Sequence, residues 1–316
     1  MRLEGTITVA AFGDWLGPLT FSRDGHTLAA LGIENAYLYN PVTHARKGFW
    51  TNQDTVDDKP TDLAFSPDGK TLLIVNNGGR SMFLWNTATE TVTATFPDPP
   101  NANIYGAALS PDGKLVAESA DWAGRTYLWD MVTRRYTGIL NNPDFGVDPL
   151  AFSPDGATLA VGDGADGDGR RFGWIALWNV ARRKIRATYQ TPDRVEVQSV
   201  AFSPDGAVLA ATGIRSAYLW DIASGQLTRV LTGPRGAVIR DIAFSPDGRM
   251  LAGIFTSNVA CIWNLATGET VATMPDPGNT EIASLAYSPD GKTLAIGDYD
   301  SHIYLWNVSQ TDHPRS

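Results

Sequence analysis

The chain has 316 residues, of which 43% are hydrophobic and 19% charged, and its formal net charge is −9. This composition is typical of a globular protein that folds in water, and no apolar run is long enough to span a bilayer. The negative net charge argues against nucleic acid and anionic membranes as partners, because both bind proteins mainly through Lys and Arg. A single cysteine, Cys261, excludes an internal disulfide and a multi-thiolate zinc site.

The first segment with a clear pattern is residues 6–12, where apolar and polar residues alternate as in a β-strand. The N-terminal region contains neither a continuous apolar stretch nor a cleavage signal, so no secretory peptide is expected. We therefore expect a cytoplasmic protein.

From residue 22 onward, the tetrapeptide Ser-x-Asp-Gly recurs seven times. Pro, which fills the second position in six copies, presets φ, Asp tolerates the bridge region, and Gly accepts positive φ. Each copy therefore predicts a tight turn between two antiparallel strands, which we name a and b. The aspartates of these turns are separated by 42 to 50 residues and are Asp24, Asp68, Asp112, Asp155, Asp205, Asp247 and Asp290.

Each unit continues with a third strand, c, that ends in an aromatic residue followed by Asn or Asp, and then with a fourth, d. The seventh unit stops after Trp306 and Asn307 without a strand d, and the segment 6–12 matches the missing strand in pattern. The aromatic residues that end strand c are Tyr39, Trp85, Trp129, Trp178, Trp220, Trp263 and Trp306.

Seven units of four strands predict an all-β fold, a seven-bladed β-propeller of four-stranded antiparallel blades. The N-terminal strand is expected to complete the last blade and close the ring, which leaves no end blade with an exposed inner surface. We expect one domain over residues 1–316, with a tail at 309–316. The repeats are placed at 14–51, 60–97, 104–141, 147–190, 197–232, 239–275 and 282–308.

These turns and aromatic–Asn/Asp pairs resemble the WD-repeat β-propellers, in their bacterial-type form, from about residue 6 to residue 308. The Gly-His pair that many members carry before strand a is missing here. The resemblance implies that the strand-c aromatic packs between neighbouring blades. It also implies a noncatalytic interaction scaffold, often the sensor or scaffold part of a signalling chain such as a serine/threonine kinase. Nineteen arginines against six lysines suit a GC-rich genome.

The resemblance further implies that the Ser-x-Asp-Gly turns share one end of the ring, the turn rim, and that the d–a and b–c loops share the other, the variable rim. The turns are nearly identical and the loops differ, so partner binding is expected at the variable rim. Aromatic residues and arginines near that rim are the candidate contacts. They are Trp15, Trp50, Arg80, Tyr105, Trp122, Phe145, Trp174, Arg215 and Tyr299.

The same loops are rich in carboxylates, which would attract a basic protein or peptide. The alternative is that Pro-Asp pairs are simply good loop formers, because Pro fixes φ and Asp bonds its own backbone. The acidic rim consists of Asp54, Asp57, Asp58, Asp98, Asp144 and Asp148, with Asp193 and Asp276 in similar loops.

Catalysis needs a convergent set of titratable groups, and the sequence contains only four histidines. His302 is expected to be a solvated rim residue rather than a catalytic one. We therefore expect a monomer that is not an enzyme and has no cofactor. Two alternatives stay open: an enzyme or small-molecule binder at the mouth of the central channel, and a calcium-dependent module. The calcium ligands would be Asp163, Asp166 and Asp168, although their spacing is poor for an EF-hand.

Overall fold

The computed structural model describes residues 1–9, 16–51, 59–77, 81–97, 104–120, 124–142, 146–164 and 173–309. Within these ranges the chain forms 28 β-strands and no helix. The strands are arranged as seven four-stranded antiparallel sheets, each of which is one blade. The predicted all-β fold of seven blades is confirmed.

Blades 1 to 4 follow one another along the chain, and each contains strands a, b, c and d in sequence order. Their strands are β2 (Leu19–Phe21), β3 (Leu28–Leu31), β4 (Asn35–Tyr39), β5 (Arg46–Thr51), β6 (Lys59–Phe65), β7 (Thr71–Asn77), β8 (Ser81–Asn86), β9 (Thr91–Pro97), β10 (Ile104–Leu109), β11 (Leu115–Ala120), β12 (Arg125–Asp130), β13 (Arg135–Asn141), β14 (Gly146–Phe152), β15 (Thr158–Gly164), β16 (Trp174–Asn179) and β17 (Lys184–Gln190).

Blades 5 and 6 repeat this order, whereas blade 7 takes its strand d from the start of the chain. The strands of blades 5 to 7 are β18 (Val200–Phe202), β19 (Val208–Thr212), β20 (Ser216–Asp221), β21 (Leu227–Thr232), β22 (Ile239–Phe244), β23 (Met250–Phe255), β24 (Val259–Asn264), β25 (Thr270–Pro275), β26 (Ile282–Tyr287), β27 (Thr293–Asp298), β28 (His302–Asn307) and β1 (Arg2–Thr8).

The ring is closed by β1, which pairs antiparallel with β28 and places Ile7 opposite Ile303. The bounds of this strand differ from the sequence-based ones, since it covers Arg2–Thr8 rather than residues 6–12. Ile7 therefore takes the position that the sequence pattern gives to Phe12. Polar and apolar residues alternate on both sides of Ile7, so the pattern shows that a strand is present without fixing its ends.

The hydrophobic core is divided among the interfaces between blades. A buried cluster lies between each pair of neighbouring blades, including blades 7 and 1. Between blades 1 and 2, Trp85 from strand c packs in the same cluster as Leu38 and Trp50. The strand-c aromatic thus lies where the family resemblance placed it, and burying one such side chain stabilises the fold by about 1.5–3 kcal/mol.

The Ser-x-Asp-Gly turns share one hydrogen-bond pattern, as the first copy shows. The Ser22 hydroxyl donates to Asp24 at 2.6 Å, and the backbone N–H of Thr27 donates back to that hydroxyl at 2.9 Å. Gly25 has a φ of 73°, in the left-handed region that favours glycine. In all seven copies the serine hydroxyl is the main cause that lowers the pKa of the turn aspartate. The sameness of these turns therefore has a structural origin.

Candidate functional site

The strand order fixes which loops lie together. In a blade of four antiparallel strands, the a–b and c–d turns lie at one end, while the b–c and d–a loops lie at the other. The first end is the turn rim and the second is the variable rim. Strand a of every blade contributes to the wall of the central channel, so each residue near the start of strand a lies close to the mouth on the variable rim.

Bulges near the start of strand a interrupt the regular pairing with strand b. The register shifts between Pro60 and Asp62, between Ile239 and Asp241, and at the equivalent places in blades 3, 4 and 7. A bulge re-aims the side chains around it. Both aspartates that follow such a bulge line the channel.

The mouth of the channel on the variable rim is a cavity of about 650 Å³ with contributions from all seven blades. Its charged lining residues are three carboxylates, Asp62, Glu196 and Asp241, and one guanidinium, Arg240. Arg240 forms an ion pair of 2.6 Å with Glu281 on the next blade. The mouth is therefore electronegative.

Asp62 is held by backbone amides of two blades. Its Oδ1 accepts a hydrogen bond from the N–H of Leu63 at 2.8 Å, and its Oδ2 accepts one from Ala107 at 3.0 Å. Burial raises the pKa of this carboxyl to about 6, and the charge of Asp241 acts in the same direction, against the two hydrogen bonds. Two carboxyl groups in the channel thus interact electrostatically, which is a typical way to move a pKa toward neutrality.

Asp241 also joins neighbouring blades. It accepts a hydrogen bond from the Ser199 hydroxyl of blade 5 at 2.7 Å and one from the N–H of Ile242 at 2.8 Å. Burial raises its pKa as well. Between blades 7 and 1, the Ser284 hydroxyl donates to the carbonyl of Gly17 at 2.7 Å. These polar residues therefore both line the channel and connect the blades.

Four of the residues predicted to bind a partner have described side chains. Trp50 is only 6% exposed and packs against Phe83 with ring centroids 5.4 Å apart, so it belongs to the core rather than to an exposed rim surface. Trp174 is half-buried beside the cluster between blades 3 and 4. Arg215 is exposed on the b–c loop of blade 5. Tyr299 is half-buried and lines the channel mouth.

For three other predicted residues, Tyr105, Asp148 and Asp163, the structure describes the backbone but not the side chain. The acidic-rim and calcium hypotheses stay predictions, because most of their residues lie outside the described ranges. The predicted residues outside these ranges are Trp15, Asp54, Asp57, Asp58, Arg80, Asp98, Trp122, Asp144, Phe145, Asp166 and Asp168.

One polar cluster on the variable rim was not found from the sequence. Asp298, fully buried at the end of β27, accepts hydrogen bonds from the Thr280 hydroxyl at 3.1 Å and the Tyr304 hydroxyl at 3.3 Å. Nδ1 of His302 lies 3.3 Å from the same oxygen, while about a third of this side chain stays exposed to solvent. The N–H of Thr280 also donates to Asp276, whose pKa is raised by burial and by the charge of Asp298. The cluster fastens the loop between blades 6 and 7.

The part of the chain that the structure describes contains no group of three or more His, Cys, Asp or Glu residues that could hold a metal ion. Nor does this part contain a helix with the length and apolar character needed to cross a bilayer. Cys261 is buried, and burial raises the pKa of its thiol, so it packs as a small apolar residue.

Seven four-stranded antiparallel blades around a central channel, with the last blade completed by the first strand, define a β-propeller. The family model described as WD domain, G-beta repeat, matches residues 90–130, 225–264 and 268–307. Each match begins near strand d of one blade and ends with strand c of the next, so the sequence repeat straddles two blades. Three of the seven units are therefore WD repeats, and the fold of the whole ring is that of the WD-repeat β-propellers, which commonly mediate protein–protein interaction. No curated protein matches the sequence.

Proposed function

We propose that this propeller is a noncatalytic scaffold that binds a protein or peptide across its variable rim, and that a basic side chain of the partner enters the channel mouth. The observation that carries this proposal is the electronegative cavity of about 650 Å³, which opens on the rim where the loops differ. As predicted from the sequence, we place this role in a cytoplasmic, monomeric protein or segment that serves as the sensor or scaffold part of a signalling system.

The chemistry of the mouth supports a lysine or arginine side chain as the inserted group. Asp62 and Asp241 interact unfavourably with each other when both are ionised, and a cation between them would relieve that repulsion. Surrounding protein strengthens the attraction relative to bulk water. Tyr299 at the edge of the cavity offers an aromatic ring to such a cation. Trp15, Trp122 and the acidic rim stay predicted contacts for the rest of the partner.

A second candidate function is the binding of a small cationic molecule in the same cavity. Its volume lies within the range of about 300–1,000 Å³ that is usual for ligand sites. Both candidate functions use the channel carboxylates Asp62 and Asp241, and they differ in which other parts of the protein the ligand contacts. A peptide would also bury loops of the rim, whereas a small molecule would need the channel alone.

The test uses a short fluorescein-labelled peptide with a single arginine among alanines and serines, and the variant Asp62→Asn/Asp241→Asn. We expect the variant to weaken binding about tenfold or more, since it removes both channel charges. The control Glu90→Gln/Glu269→Gln makes the same change in net charge at exposed c–d turns of the other rim. Equal losses in both variants would refute insertion into the channel. If free arginine amide binds as tightly as the peptide, the small-molecule function is favoured.

A further inference from the structure

The variable rim of blade 5 has the opposite charge to the channel mouth. Three arginines lie on consecutive loops: Arg194 between β17 and β18, Arg215 between β19 and β20, and Arg235 between β21 and β22. All three are exposed, and none takes part in the ion pairs formed among the described residues. We call these three residues the arginine arc.

The loops that carry the arc are fixed next to one another by hydrogen bonds. The N–H of Ile214 donates to the Asp193 carboxylate at 2.7 Å, which ties the first loop to the second. The N–H of Gly233 donates to the carbonyl of Arg215 at 3.0 Å, which ties the second to the third. Arg194 has a φ of 50°, a conformation that costs about 1 kcal/mol for a non-glycine residue and indicates a firmly held loop.

An exposed apolar residue lies in the middle of the arc. Ile214 is 41% exposed; its backbone N–H donates to the first loop, and its C=O accepts a hydrogen bond from the N–H of Ile239, where β22 begins after the third loop. The other large apolar side chains that are exposed among the described residues lie on strand d or near the turn rim. They are Met1, Val42, Phe49, Val92, Val132, Tyr136, Leu227, Val230 and Val271. Interaction sites commonly combine an apolar centre with a polar rim, and arginine is enriched in them.

The Asp193 carboxylate, which precedes Arg194 in the sequence, is engaged by the loops themselves. One oxygen of Asp193 is taken by the N–H of Ile214, and the residue is half-buried against Tyr218, whose pKa is raised to about 12 by burial and by the charge of Asp193. This carboxylate therefore faces the loops that it fastens. The guanidinium groups of the arc are left to attract anions in a protein whose net charge is −9.

We propose that the arginine arc and Ile214 bind an acidic segment of a partner protein, in which an apolar residue is flanked by Asp or Glu. Guanidinium groups form strong, often bidentate, hydrogen bonds with carboxylates, and the apolar residue of the partner would cover Ile214. A long polyanion is disfavoured because the acidic remainder of the surface would repel it. This binding does not depend on the channel carboxylates, so it goes beyond the function proposed above.

The test measures fluorescence anisotropy of a short labelled peptide with a leucine between two pairs of glutamates. We expect Arg215→Glu/Arg235→Glu to weaken binding at least tenfold, because attraction becomes repulsion. Ile214→Ser should weaken it about threefold. The variant Asp62→Asn/Asp241→Asn should bind the peptide at least as well as the unaltered protein, which separates this proposal from the previous one. Added salt should weaken binding, since exposed charges are screened.

A matched control is Arg135→Glu/Arg182→Glu, which makes the same change in net charge at exposed positions of the turn rim. The proposal is overturned if this control loses as much affinity as the arc variant. It is also overturned if the peptide does not bind, or if a version with lysines in place of glutamates binds better. Tighter binding of a single-stranded oligonucleotide than of the peptide would assign the arc to nucleic acid and contradict it as well.

Discussion

At the scale of single residues, two groups of aspartates in this protein behave in opposite ways. The turn aspartates lie at the surface and are hydrogen-bonded, so their pKa values are lowered, with Asp205 as an example. Asp62 and Asp241 lie in the channel, and burial raises their pKa values. The first group stabilises the fold in its ionised form, while the second is ionised at a cost that a cationic partner could offset.

The substitution Asp62→Asn should remove a pH dependence of stability. The folded pKa of about 6 lies above the unfolded value near 3.8, so the native state binds the proton more tightly. The resulting stabilisation is present below about pH 4 and is lost as pH rises to about 6. Compared with the variant, the unaltered protein should therefore lose up to about 3 kcal/mol across this interval, as measured by urea unfolding.

Asp205→Asn is the control, because its lowered pKa gives the opposite sign. That variant should be less stable than the unaltered protein near pH 7, and the difference should shrink as pH falls below about 4. If both variants respond to pH in the same direction, the distinction between channel and turn carboxyls is wrong.

At the scale of elements, β1 is important for closure of the ring, since among the described strands it alone pairs with the outer side of β28. Ile7 is 3% exposed and belongs to the cluster between blades 7 and 1, whereas its neighbour Thr6 faces solvent. These two side chains of one strand should therefore contribute very differently to the free energy of unfolding.

Ile7→Ala should lower the free energy of unfolding by about 2–4 kcal/mol, because it leaves a cavity at the closure of the ring. Thr6→Ala, on the exposed face of the same strand, should change it by no more than about 0.5 kcal/mol. Chemical denaturation of both variants measures the difference. Similar, small effects of both substitutions would show that β1 is not a structural part of blade 7.

The elements also show why the sequence predicts the scaffold better than the site. Turns and strand-c aromatics are local signals, and each was repeated seven times, so the blades could be counted. The cluster of Asp276, Asp298 and His302 depends on a loop from one blade meeting the b–c loop of the next, which no local pattern records. Asp62 could not be assigned to the channel either, because a bulge changes the alternation of strand a just before it.

At the scale of the whole molecule, a continuous ring is made from a linear chain by exchanging one strand. The two ends of the sequence meet in blade 7, whose strand d is β1 and whose strands a, b and c are β26, β27 and β28. Every blade has the same spatial order of strands a to d. A chain whose ends lie in another blade should therefore keep the fold, provided that its first strand still serves as strand d of its last blade.

A circular permutant tests this. Residue 309 is joined to Met1 by a flexible linker, and the chain is opened in the c–d turn of blade 5, between Ser224 and Gly225. Its free energy of unfolding should lie within about 1 kcal/mol of that of the parent, because hydrogen bonds between strands c and d still close the ring. Opening at the d–a loop, between Arg235 and Gly236, leaves side-chain packing alone at the break and should cost on the order of 2 kcal/mol more. Equal stability of both permutants would contradict a closing role for the exchanged strand.

The pairing of β1 with β28 also sets the order of events while the chain is synthesised. Thr8 pairs with His302, which is synthesised 294 residues later (302 − 8). At about 5–20 residues per second, the first strand waits roughly 15–60 s for its partner. During that time its edge is open to neighbouring chains on the same message. We expect β1 to be the segment for which a ribosome-associated chaperone matters most, and its alternation of exposed polar residues with few apolar ones reduces the hazard.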